Sequence, residues 1–410
     1  MTLDLSTGRV LIVGAGQAGA ELANALRQQG FNGSITMLGD ETHLPYRRPP
    51  LSKTYLAGDA TLESLLLKTQ AGYERQNVDC RLGIGVERID RAAKTVTLYD
   101  GTSLPYDKLA LTTGGRVRKL SLPGAEHPNV HYVRNIDDIQ RMQPQFVEGK
   151  KLVIVGGGYI GLEAASVGIK KGLQVTVIEA MPRVLQRVTV PEISAFYTRV
   201  HAERGVDIRT GVGVHGFEGD ATVETVVLAD GQRIAADLVI VGIGLIPNTE
   251  LAEAAAIEVA NGIVVDAFCQ TSDPDIVAAG DCTQHENRFY GRRMRLESVP
   301  NALEQGRVAA AALCGKPVPY AAVPWFWSDQ YELKLQMVGL SEGYDQFVVR
   351  GDMASNTFIA FYLKDGVVIS ADAVSKPADF MVAKRLVAER VPVTAAQLQD
   401  DSTPLKALLG

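Results

Sequence analysis

The stretch RVLIVGAGQAGAELANALRQQGFNGSITMLGD, residues 9–40, joins two apolar runs through the pattern G-x-G-x-x-G at Gly14, Gly16 and Gly19. In such a loop the first glycine makes a tight turn and the second lets the backbone approach a pyrophosphate. The third glycine lets the following helix pack closely on the strand. That helix would direct its N-terminal N–H groups at the phosphates. The stretch therefore predicts a strand–helix–strand unit that binds a dinucleotide.

A second stretch, KLVIVGGGYIGLEAASVGIKKGLQVTVIEA at 151–180, repeats this plan with Gly156, Gly158 and Gly161. One glycine pattern alone is weak support for a nucleotide site. Two patterns, each placed between an apolar run and a helix and each followed by an acid, are strong support. We therefore expect two bound dinucleotides, FAD at the first repeat and a nicotinamide at the second.

The acids that end the two repeats indicate which nucleotides bind. Glu179 stands at the tip of the second strand, where a carboxylate accepts both ribose hydroxyls and repels a 2′-phosphate, so NADH is favoured over NADPH. Arg183 and Arg187 follow, and arginines there could hold a phosphate, although Arg187 suits adenosine or pyrophosphate contact better. In the first repeat Gly39 occupies the expected position of the acid and Asp40 comes one residue later.

Two further segments complete the pattern of an α/β nucleotide-binding protein. YDKLALTTGG (106–115) reads as a buried strand that ends at Thr113 and Gly114. TSDPDIVAAGDC (271–282) reads as another strand, followed by Gly280 and Asp281. An acid at the carboxyl end of a strand lies where α/β sheets bind ligands. Asp281 is therefore a candidate acceptor for a ribityl hydroxyl of FAD.

Composition excludes several other classes of protein. The chain has 410 residues, 46% of them hydrophobic, with a formal net charge of −6, so general affinity for nucleic acid or anionic membranes is not expected. The N-terminus reads as neither a signal nor a transit peptide, and the apolar runs are too short to span a bilayer. We expect a cytoplasmic protein without a metal site, because no cysteines are paired as metal ligands; they are Cys80, Cys269, Cys282 and Cys314.

The order of the segments predicts an α/β fold with two Rossmann-like dinucleotide-binding domains and a C-terminal α+β interface domain. The FAD-binding domain is split between residues 1–115 and 248–325. The NADH-binding domain occupies 116–247. From about 326 onward the chain has no glycine loop and reads as strands with one helix, so 326–410 forms the interface domain.

With these motifs the chain resembles the flavoprotein family with two dinucleotide-binding domains that includes glutathione reductase. The disulfide reductases of that family carry a CxxxxC pair about thirty residues past the first glycine loop. Here that place holds LPYRRPPLSKTYL (44–56), without a cysteine. Taken alone, this segment could be a capped surface loop. Together with GGGYIGLE (156–163), ESVPNALEQ (297–305) and PWFWSDQYELKLQMVGLSEGYD (324–345), it is similar to the NADH-dependent ferredoxin reductases.

The resemblance implies electron transfer from NADH through FAD to a [2Fe–2S] ferredoxin that serves a cytochrome P450 or a ring-hydroxylating dioxygenase. Gln336 departs from the likeness, since a lysine can occur there, so the docking surface is not carried over exactly. The implied FAD contacts are Ala18, Asp40, Arg48, Lys53, Val86, Arg134, Asp281 and Val299. The implied NADH contacts are Tyr159, Ile160, Glu179, Arg187 and Gly242.

We expect a cation near the flavin, because reduced flavin is anionic near neutral pH and a positive charge would stabilise it. Lys53 is the candidate, and a buried ammonium needs a carboxylate partner. Glu163, on the helix after the second glycine loop, is the expected partner, with an exposed helix acid as the alternative. Tyr159 inside that loop either covers the flavin until nicotinamide displaces it or packs the loop.

Electrons must then leave toward the protein acceptor. Trp327 is the candidate for a surface position near the flavin edge, whereas Trp325 reads as a core residue. Ferredoxins of this class are acidic, so we expect them to dock near Trp327 on a basic patch, and we expect a monomer. The available cations are Arg292, Arg293, Arg295, Arg307, Lys334 and Lys384.

Two other functions stay open on the sequence alone. A flavoprotein of this fold could instead reduce rubredoxin, oxygen or quinones. It could also be a signalling flavoprotein of the apoptosis-inducing-factor type, in which NADH binding changes conformation. Lys53 and Glu163 do not separate these functions, because such proteins can share both residues.

Overall fold

The structure is a computed structural model that describes residues 3–409. These residues form two compact units, each assembled from three stretches of chain. The first unit contains 3–47, 65–116 and 246–326, and the second contains 48–64, 117–245 and 327–409. The three predicted domains stay a prediction, because one compact unit can hold more than one domain.

A five-stranded parallel sheet forms the centre of the first unit. Its strands are almost continuously apolar, as is typical of strands covered on both faces. Val13, at the end of the central strand, stands in register with Leu38 and Leu111 on the two neighbouring strands. The carboxyl ends of these strands, which carry the first glycine loop and Thr113, therefore lie along one edge. In spatial order the strands are Ile276–Ala278, Lys108–Leu111, Arg9–Val13, Ser34–Gly39 and Val78–Leu82.

Two helices of the first unit pack against each other beside this sheet, Gln17–Gln28 and Val299–Leu313. We call Gln17–Gln28 the first loop helix. Its Leu22 and Leu26 are fully buried in the core that also contains Ile12. The second helix begins after Ser298, whose hydroxyl accepts the N–H of Asn301 and caps the helix. Both helices are thus fixed at the end of the sheet where the glycine loop lies.

Smaller elements complete the first unit. An antiparallel three-stranded sheet contains Val86–Asp90, Thr95–Leu98 and Ser103–Pro105. A four-stranded sheet contains Val259–Ala260, Gly262–Val265, Thr283–Asn287 and Arg292–Met294. The short helices are Gln70–Arg75 and Glu250–Ala254. Three short elements lie where the chain passes between units, Leu62–Leu65, Gly115–Val117 and Leu245–Pro247.

The second unit contains a second five-stranded parallel sheet with the same central arrangement. The strand before the second glycine loop pairs with the strand that ends in Glu179 and with Leu238–Val241. In spatial order the strands are Asp207–Thr210, Gln174–Glu179, Lys151–Val155, Leu238–Val241 and Val130–Tyr132. The helix Tyr159–Lys170, here called the second loop helix, is buried along most of its length. The internal repeat predicted from the sequence is therefore present in the structure.

Other elements surround this second sheet. The helices are Ile136–Met142 and Pro191–Ala202, and a one-turn 3₁₀ helix at Gln143–Gln145 follows the first of them. A three-stranded antiparallel sheet contains Val214–Glu218, Thr225–Leu228 and Arg233–Ala235. A second 3₁₀ helix, Pro49–Ser52, comes from the proline-rich segment, and Lys53 is its C-cap. Proline fits the start of such a helix because its fixed φ is already helical.

The C-terminal part of the chain forms a five-stranded antiparallel sheet covered by a helix, as predicted. The core is dense, since Phe358, Phe361 and Tyr362 are fully buried. In spatial order the strands are Trp325–Gln330, Leu333–Gly339, Val367–Val374, Thr357–Lys364 and Gln346–Asp352. The helices are Pro377–Glu389, Ala395–Gln399 and the 3₁₀ helix Leu405–Leu409.

Two features are absent from the described residues. Among residues 3–409, no helix is both long enough and apolar enough to cross a membrane. Within that same part of the chain, no group of three or more His, Cys, Asp or Glu side chains is arranged to hold a metal ion.

Candidate active site

The first glycine loop shows why glycine is needed at two of its three positions. Gly14 has φ +113°, and a Cβ there would come within 2.2 Å of the Thr112 carbonyl oxygen. A Cβ on Gly19 would come within 2.2 Å of the Gly14 carbonyl oxygen. Gly16 differs, because a Cβ there would meet open space. Gly14 and Gly19 thus pack strand, loop and helix, while Gly16 leaves room for a phosphate to reach the helix N-terminus.

The second glycine loop repeats this geometry. Gly156 also has φ +113°, and a Cβ there would lie 2.3 Å from the Gly242 carbonyl oxygen. A Cβ on Gly161 would lie 2.1 Å from the Gly156 carbonyl oxygen, and Gly158 again faces open space. Gly242, predicted as an NADH contact, lies directly behind Gly156 and supports the turn. Both loops therefore fit the pyrophosphate of a dinucleotide.

Glu179 is held in place at the carboxyl end of its strand. Its Oε2 accepts the N–H of Gly157 at 2.8 Å, and its Oε1 accepts the N–H of Met181 at 2.8 Å. Two backbone donors fix the carboxylate beside the second glycine loop, and each oxygen keeps a lone pair for another donor. This is the arrangement that a ribose diol requires.

The two arginines after Glu179 have different environments. Arg183 donates from Nη1 to Ser194 Oγ at 2.5 Å and from Nη2 to the Gln186 carbonyl at 3.2 Å. Its guanidinium is therefore engaged in holding the turn before the helix Pro191–Ala202. Arg187 is exposed, and its guanidinium lies beside Gly244. Of the two, Arg187 is the one placed to reach a nucleotide.

The predicted FAD residues of the first unit gather around the first glycine loop only in part. Ala18 lies in the first turn of the first loop helix, and a Cβ on Gly280 would lie 3.1 Å from the Ala18 Cβ. This contact places Asp281 beside the start of that helix. Thr113 is tied to Asn248, with Thr113 Oγ1 donating to the Asn248 carbonyl at 2.6 Å.

Others lie at the ends of separate elements. Asp40 is exposed one residue beyond its strand, Gly114 has φ +60° in the turn after Thr113, and Val299 opens its helix. Val86 is buried at the start of a strand of the three-stranded sheet. In the second unit, Arg48 donates from Nη1 to the Arg134 carbonyl at 2.7 Å, which brings these two predicted residues together.

The centre of the candidate site is the ion pair between Lys53 and Glu163, which the structure contains as expected. Lys53 Nζ lies 2.7 Å from Glu163 Oε2, and the two side chains are 16% and 3% exposed. Glu163 is therefore not an exposed helix acid. Lys53 Nζ also donates to the Pro49 carbonyl at 3.2 Å, so the proline-rich turn helps to fix the ammonium.

Two serines complete the surroundings of Glu163, and the sequence did not single out either as a partner of this acid. Ser52 Oγ donates to Glu163 Oε2 at 2.5 Å, and Ser328 Oγ donates to Glu163 Oε1 at 2.6 Å. Burial raises the pKa of Glu163, while Lys53 and the two serines act to lower it. Desolvation favours the protonated form of Glu163, and the three donors oppose this effect by stabilising the carboxylate.

The alternation of side chains along its strand could have indicated from the sequence that Ser328 is buried and needs a hydrogen-bond partner. In the strand Trp325–Gln330, alternate side chains face opposite sides, and Ser328 and Gln330 are both fully buried. Two polar residues on the buried face of a strand require partners. Trp325 and Trp327 lie on the other face and are both half-buried, so Trp325 is less buried than a core residue.

Tyr159 packs against the C-terminal sheet. Its hydroxyl lies 2.9 Å from Met337 Sδ, and the residue as a whole is half-buried. Burial raises the pKa of Tyr159 well above its ordinary value, so the phenol remains protonated at neutral pH. Ile160, the next residue, is 45% exposed. The loop therefore presents an apolar side chain to solvent beside Tyr159, and the role of Tyr159 toward the flavin stays a prediction.

A second buried carboxylate lies on the last strand of the C-terminal sheet. Asp372 Oδ2 accepts the hydroxyl of Tyr362 at 2.5 Å and the hydroxyl of Thr189 at 3.3 Å. Burial raises the pKa of Asp372 to about 6, partly opposed by these two hydrogen bonds. The folded protein therefore binds a proton at Asp372 at a higher pH than the unfolded chain does.

This raised pKa predicts a measurable dependence of stability on pH. The Asp372 contribution should fall as pH rises from about 4 to about 7, because the folded state must give up a proton that the unfolded state has already lost. A difference of about two pKa units corresponds to about 3 kcal/mol. Urea unfolding of wild type and Asp372→Asn should therefore show the wild type losing about that much relative to the variant across this range. A constant difference between the two proteins would contradict the prediction.

The cations proposed for docking are not equally available. Arg307 is paired with both Glu21 and Glu304, at 2.7 Å and 3.1 Å. Arg295 is mostly buried and paired with Glu297. Their charges are locally neutralised, so both are poor candidates for attracting an acidic partner. Arg293 also has a carboxylate partner, Glu258, at 3.7 Å. The other three are Arg292, Lys334 and Lys384.

Comparison with known proteins extends this geometry. The family described as pyridine nucleotide-disulphide oxidoreductase matches residues 8–306, and the family described as reductase C-terminal matches 325–409. Putidaredoxin reductase CamA of Pseudomonas putida is 49% identical, over 98% of this chain and 96% of that protein. The anthranilate 1,2-dioxygenase system ferredoxin–NAD(+) reductase component of Burkholderia cepacia is 42% identical, over 99% of this chain and 100% of that protein. The reductase in the crystal structure of the covalent putidaredoxin reductase–putidaredoxin complex superposes with a TM-score of 0.96 at 48% identity, covering 98% of both chains.

Proposed function

Because this chain belongs to the pyridine nucleotide-disulphide oxidoreductase family, we propose that it is an NADH:ferredoxin oxidoreductase. It takes hydride from NADH into FAD and passes electrons singly to a [2Fe–2S] ferredoxin. That ferredoxin serves a cytochrome P450 or a ring-hydroxylating dioxygenase. The observation that carries the proposal is the similarity to ferredoxin reductases along nearly the whole chain. The segment 44–56 agrees with it, because it supplies Lys53 to the ion pair with Glu163 where thiol-dependent members hold their redox cysteines.

The chemistry of thiols argues against a disulfide-reducing role. Burial raises the pKa of Cys80 to about 11, so this half-buried residue stays a thiol at neutral pH. The thiolate is the nucleophile in disulfide exchange, and a thiol with such a pKa is inert. The other three cysteines are buried, and burial raises the pKa of each: Cys269, Cys282 and Cys314. Electrons therefore need an acceptor outside the chain.

The cofactors are FAD and NADH, and the two glycine loops divide them. When bound, they supply the hydride transfer and the change from a two-electron to a one-electron carrier. The first loop would hold the FAD pyrophosphate, since Gly16 is open to it, and Asp281 would accept a ribityl hydroxyl. The second loop would hold the NADH pyrophosphate at Gly158, and Glu179 would accept the ribose hydroxyls.

The remaining residues of the chain act on charge and position. Lys53 provides a fixed positive charge for the flavin, and Glu163 keeps that ammonium in one place. Tyr159 and Ile160 border the nicotinamide site, and Arg187 contacts the nucleotide. Engagement of Arg183 with Ser194 and Gln186 leaves little support for a 2′-phosphate, which favours NADH over NADPH.

We also propose the finer features of the partner. The ferredoxin is acidic and docks near Trp327, which is half-buried on the strand Trp325–Gln330. Three cations remain as candidates for attracting it: Arg292, Lys334 and Lys384. The others are set aside because each is paired with a carboxylate: Arg293, Arg295 and Arg307. A monomer working in the cytoplasm is the simplest form of this proposal.

A coupled assay tests the proposed function. The purified protein should be yellow and should bleach with NADH. It should reduce cytochrome c rapidly only when a [2Fe–2S] ferredoxin is added, because the ferredoxin carries the single electrons. Rubredoxin, quinone and oxygen serve as alternative acceptors in parallel reactions. Equal rates with and without any ferredoxin of a representative set would overturn the proposal.

A further inference from the structure

A continuous chain of hydrogen bonds leads from Glu163 to the helix Pro191–Ala202, entirely within the second unit. Ser328 Oγ donates to Glu163 Oε1 at 2.6 Å and accepts the Nε2 amide of Gln330 at 3.2 Å. Gln330 Oε1 then lies 2.8 Å from His201 Nε2, and His201 Nδ1 lies 2.9 Å from the Tyr331 hydroxyl. Ser328, Gln330 and His201 are all fully buried.

The donors and acceptors fix the direction of this chain. An ionised Glu163 can only accept, so the Ser328 hydroxyl must donate to it and can receive a hydrogen bond only from the Gln330 NH₂ group. Gln330 Oε1 therefore faces His201 and accepts from Nε2–H, which leaves Nδ1 to accept from Tyr331. Burial lowers the pKa of His201 to about 4, in keeping with this neutral tautomer. Each hydroxyl and ring is thus held in one orientation.

From this chain we propose that Ser328 is a positioning residue for Lys53. Its hydroxyl holds the charged form of Glu163, whose other oxygen binds Lys53 Nζ, and Gln330 with His201 keeps the hydroxyl turned toward the carboxylate. The inference rests on the proposed function, since it concerns the same Lys53. The inference adds that the strand carrying Trp327 is linked to the ion pair through the next residue, Ser328, which hydrogen-bonds Glu163.

Other titratable groups lie near Glu163, and their effect on pH dependence must be distinguished from that of Glu163. Lys53 faces it from the proline-rich turn, and Tyr159 lies on its own helix. Tyr197, on the helix Pro191–Ala202, interacts with Glu163, with Asp329 and with Asp372. Asp372 also acts on Tyr159. A test must therefore show that any change in pH dependence comes through Glu163 itself.

The test compares pH profiles of the FAD-loaded protein. Flavin reduction by NADH is followed by stopped flow from pH 5 to pH 9 in wild type and Ser328→Ala. Loss of a hydrogen bond to a charged group should raise the apparent pKa of the profile by about one to two units. In the Glu163→Gln background the same substitution should cause no further shift. Ser328→Cys, which keeps a weak donor, should give an intermediate shift.

A matched control separates this effect from simple loss of a buried hydroxyl. Ser370 is equally a buried strand residue of the C-terminal sheet, but its hydroxyl donates to the Val338 carbonyl at 2.8 Å. Ser370→Ala should retain the wild-type profile. FAD absorbance and thermal melting show that each variant is folded. Identical profiles for wild type, Ser328→Ala and Ser328→Cys would overturn the inference.

A second readout keeps the outcome independent of the electron acceptor. The flavin midpoint potential is measured against pH by titration with dithionite, which requires neither NADH nor ferredoxin. The inflection should move upward in Ser328→Ala and stay in place in Ser370→Ala. A shift without any ferredoxin-dependent activity would sustain the inference while the proposed acceptor fails. An unmoved inflection alongside normal ferredoxin reduction would overturn the inference alone.

Discussion

Replacing Lys53 with methionine is expected to slow the reduction of bound flavin by NADH by roughly 100-fold while FAD stays bound. A fixed positive charge in a site shielded from water stabilises a developing anion far more than the same charge does in water, and loss of one such group has effects of that order. Methionine keeps the length of the side chain but not its charge. Stopped-flow spectroscopy measures the rate, and redox titration measures the potential.

In Lys53→Met the midpoint potential of the bound flavin should fall together with the rate of its reduction by NADH. A drop on the order of 30 mV corresponds to about 1.4 kcal/mol for a two-electron couple. Lys170→Met is the matched control, because Lys170 also pairs with a carboxylate, Asp59, at 2.7 Å, but in an exposed position. An exposed pair contributes little, so the control should behave as wild type. An unchanged rate and potential in Lys53→Met would exclude the assigned role.

The variant also leaves Glu163 buried without its cation. A charge stranded in that way destabilises a protein strongly unless the group takes up a proton. Because the pKa of Glu163 is already raised by burial, we expect the carboxyl to be neutral at pH 7 in Lys53→Met. The double variant Lys53→Met/Glu163→Gln should therefore be no less stable than Lys53→Met alone.

Replacing Glu179 with glutamine is expected to lower kcat/KM for NADH by roughly 10-fold to 100-fold. Hydrogen bonds to a charged group contribute about 1.5–3 kcal/mol, and each 1.4 kcal/mol is a factor of ten. Activity with NADPH should fall less or rise, since the substitution removes the charge that repels a 2′-phosphate. Steady-state kinetics with both nucleotides measures the ratio.

The environment of Glu179 makes this variant informative. Its carboxylate is anchored by the N–H groups of Gly157 and Met181, so an amide oxygen can keep only part of that anchoring. Glu203→Gln is the control, because Glu203 is an exposed acid at the C-cap of the helix Pro191–Ala202 and is paired with Arg199. If kcat/KM falls by the same factor with NADH and with NADPH, Glu179 supports the loop without selecting the nucleotide.

Much of the fold could be predicted because its cause is local. Gly14 and Gly156 share a backbone conformation that other residues rarely adopt, and a side chain at either position would overlap a neighbouring carbonyl. Such positions leave a mark in the sequence at fixed spacing. The apolar strands beside them and the alternating strands after residue 326 carry equally local signals. The architecture follows from these patterns.

Only one of the immediate partners of Glu163 can be predicted from the sequence. Lys53 follows from charge, since a buried cation needs a carboxylate. Ser52 and Ser328 are separated from Glu163 by 111 and 165 positions in the chain, and a serine is common in many settings. The alternation along the strand Trp325–Gln330 indicates that Ser328 needs a partner, but no local signal identifies Glu163 as that partner, and Ser52 reads as a helix cap. Only the folded chain brings them together.

The sequence also could not predict which of the docking cations are paired with carboxylates. Arg307 reads as a free charge in ALEQGRVAA, yet Glu21 from a distant helix and Glu304 from its own both pair with it. A count of basic residues overstates what an acidic partner would meet. Ion pairing between elements depends on tertiary packing, which periodicity does not encode.

The division of the chain into interleaved stretches has a consequence for how the protein is made. Residues 48–64 interrupt the first unit and belong to the second, whose last stretch begins only at 327. During synthesis from the N-terminus, neither unit has all its parts until more than three quarters of the chain has emerged. Contacts that close over such sequence distances slow folding. A contiguous fragment that ends near residue 250 would contain pieces of both units and the whole of neither, so separate production of either nucleotide-binding unit requires a rearranged gene, not a truncated one.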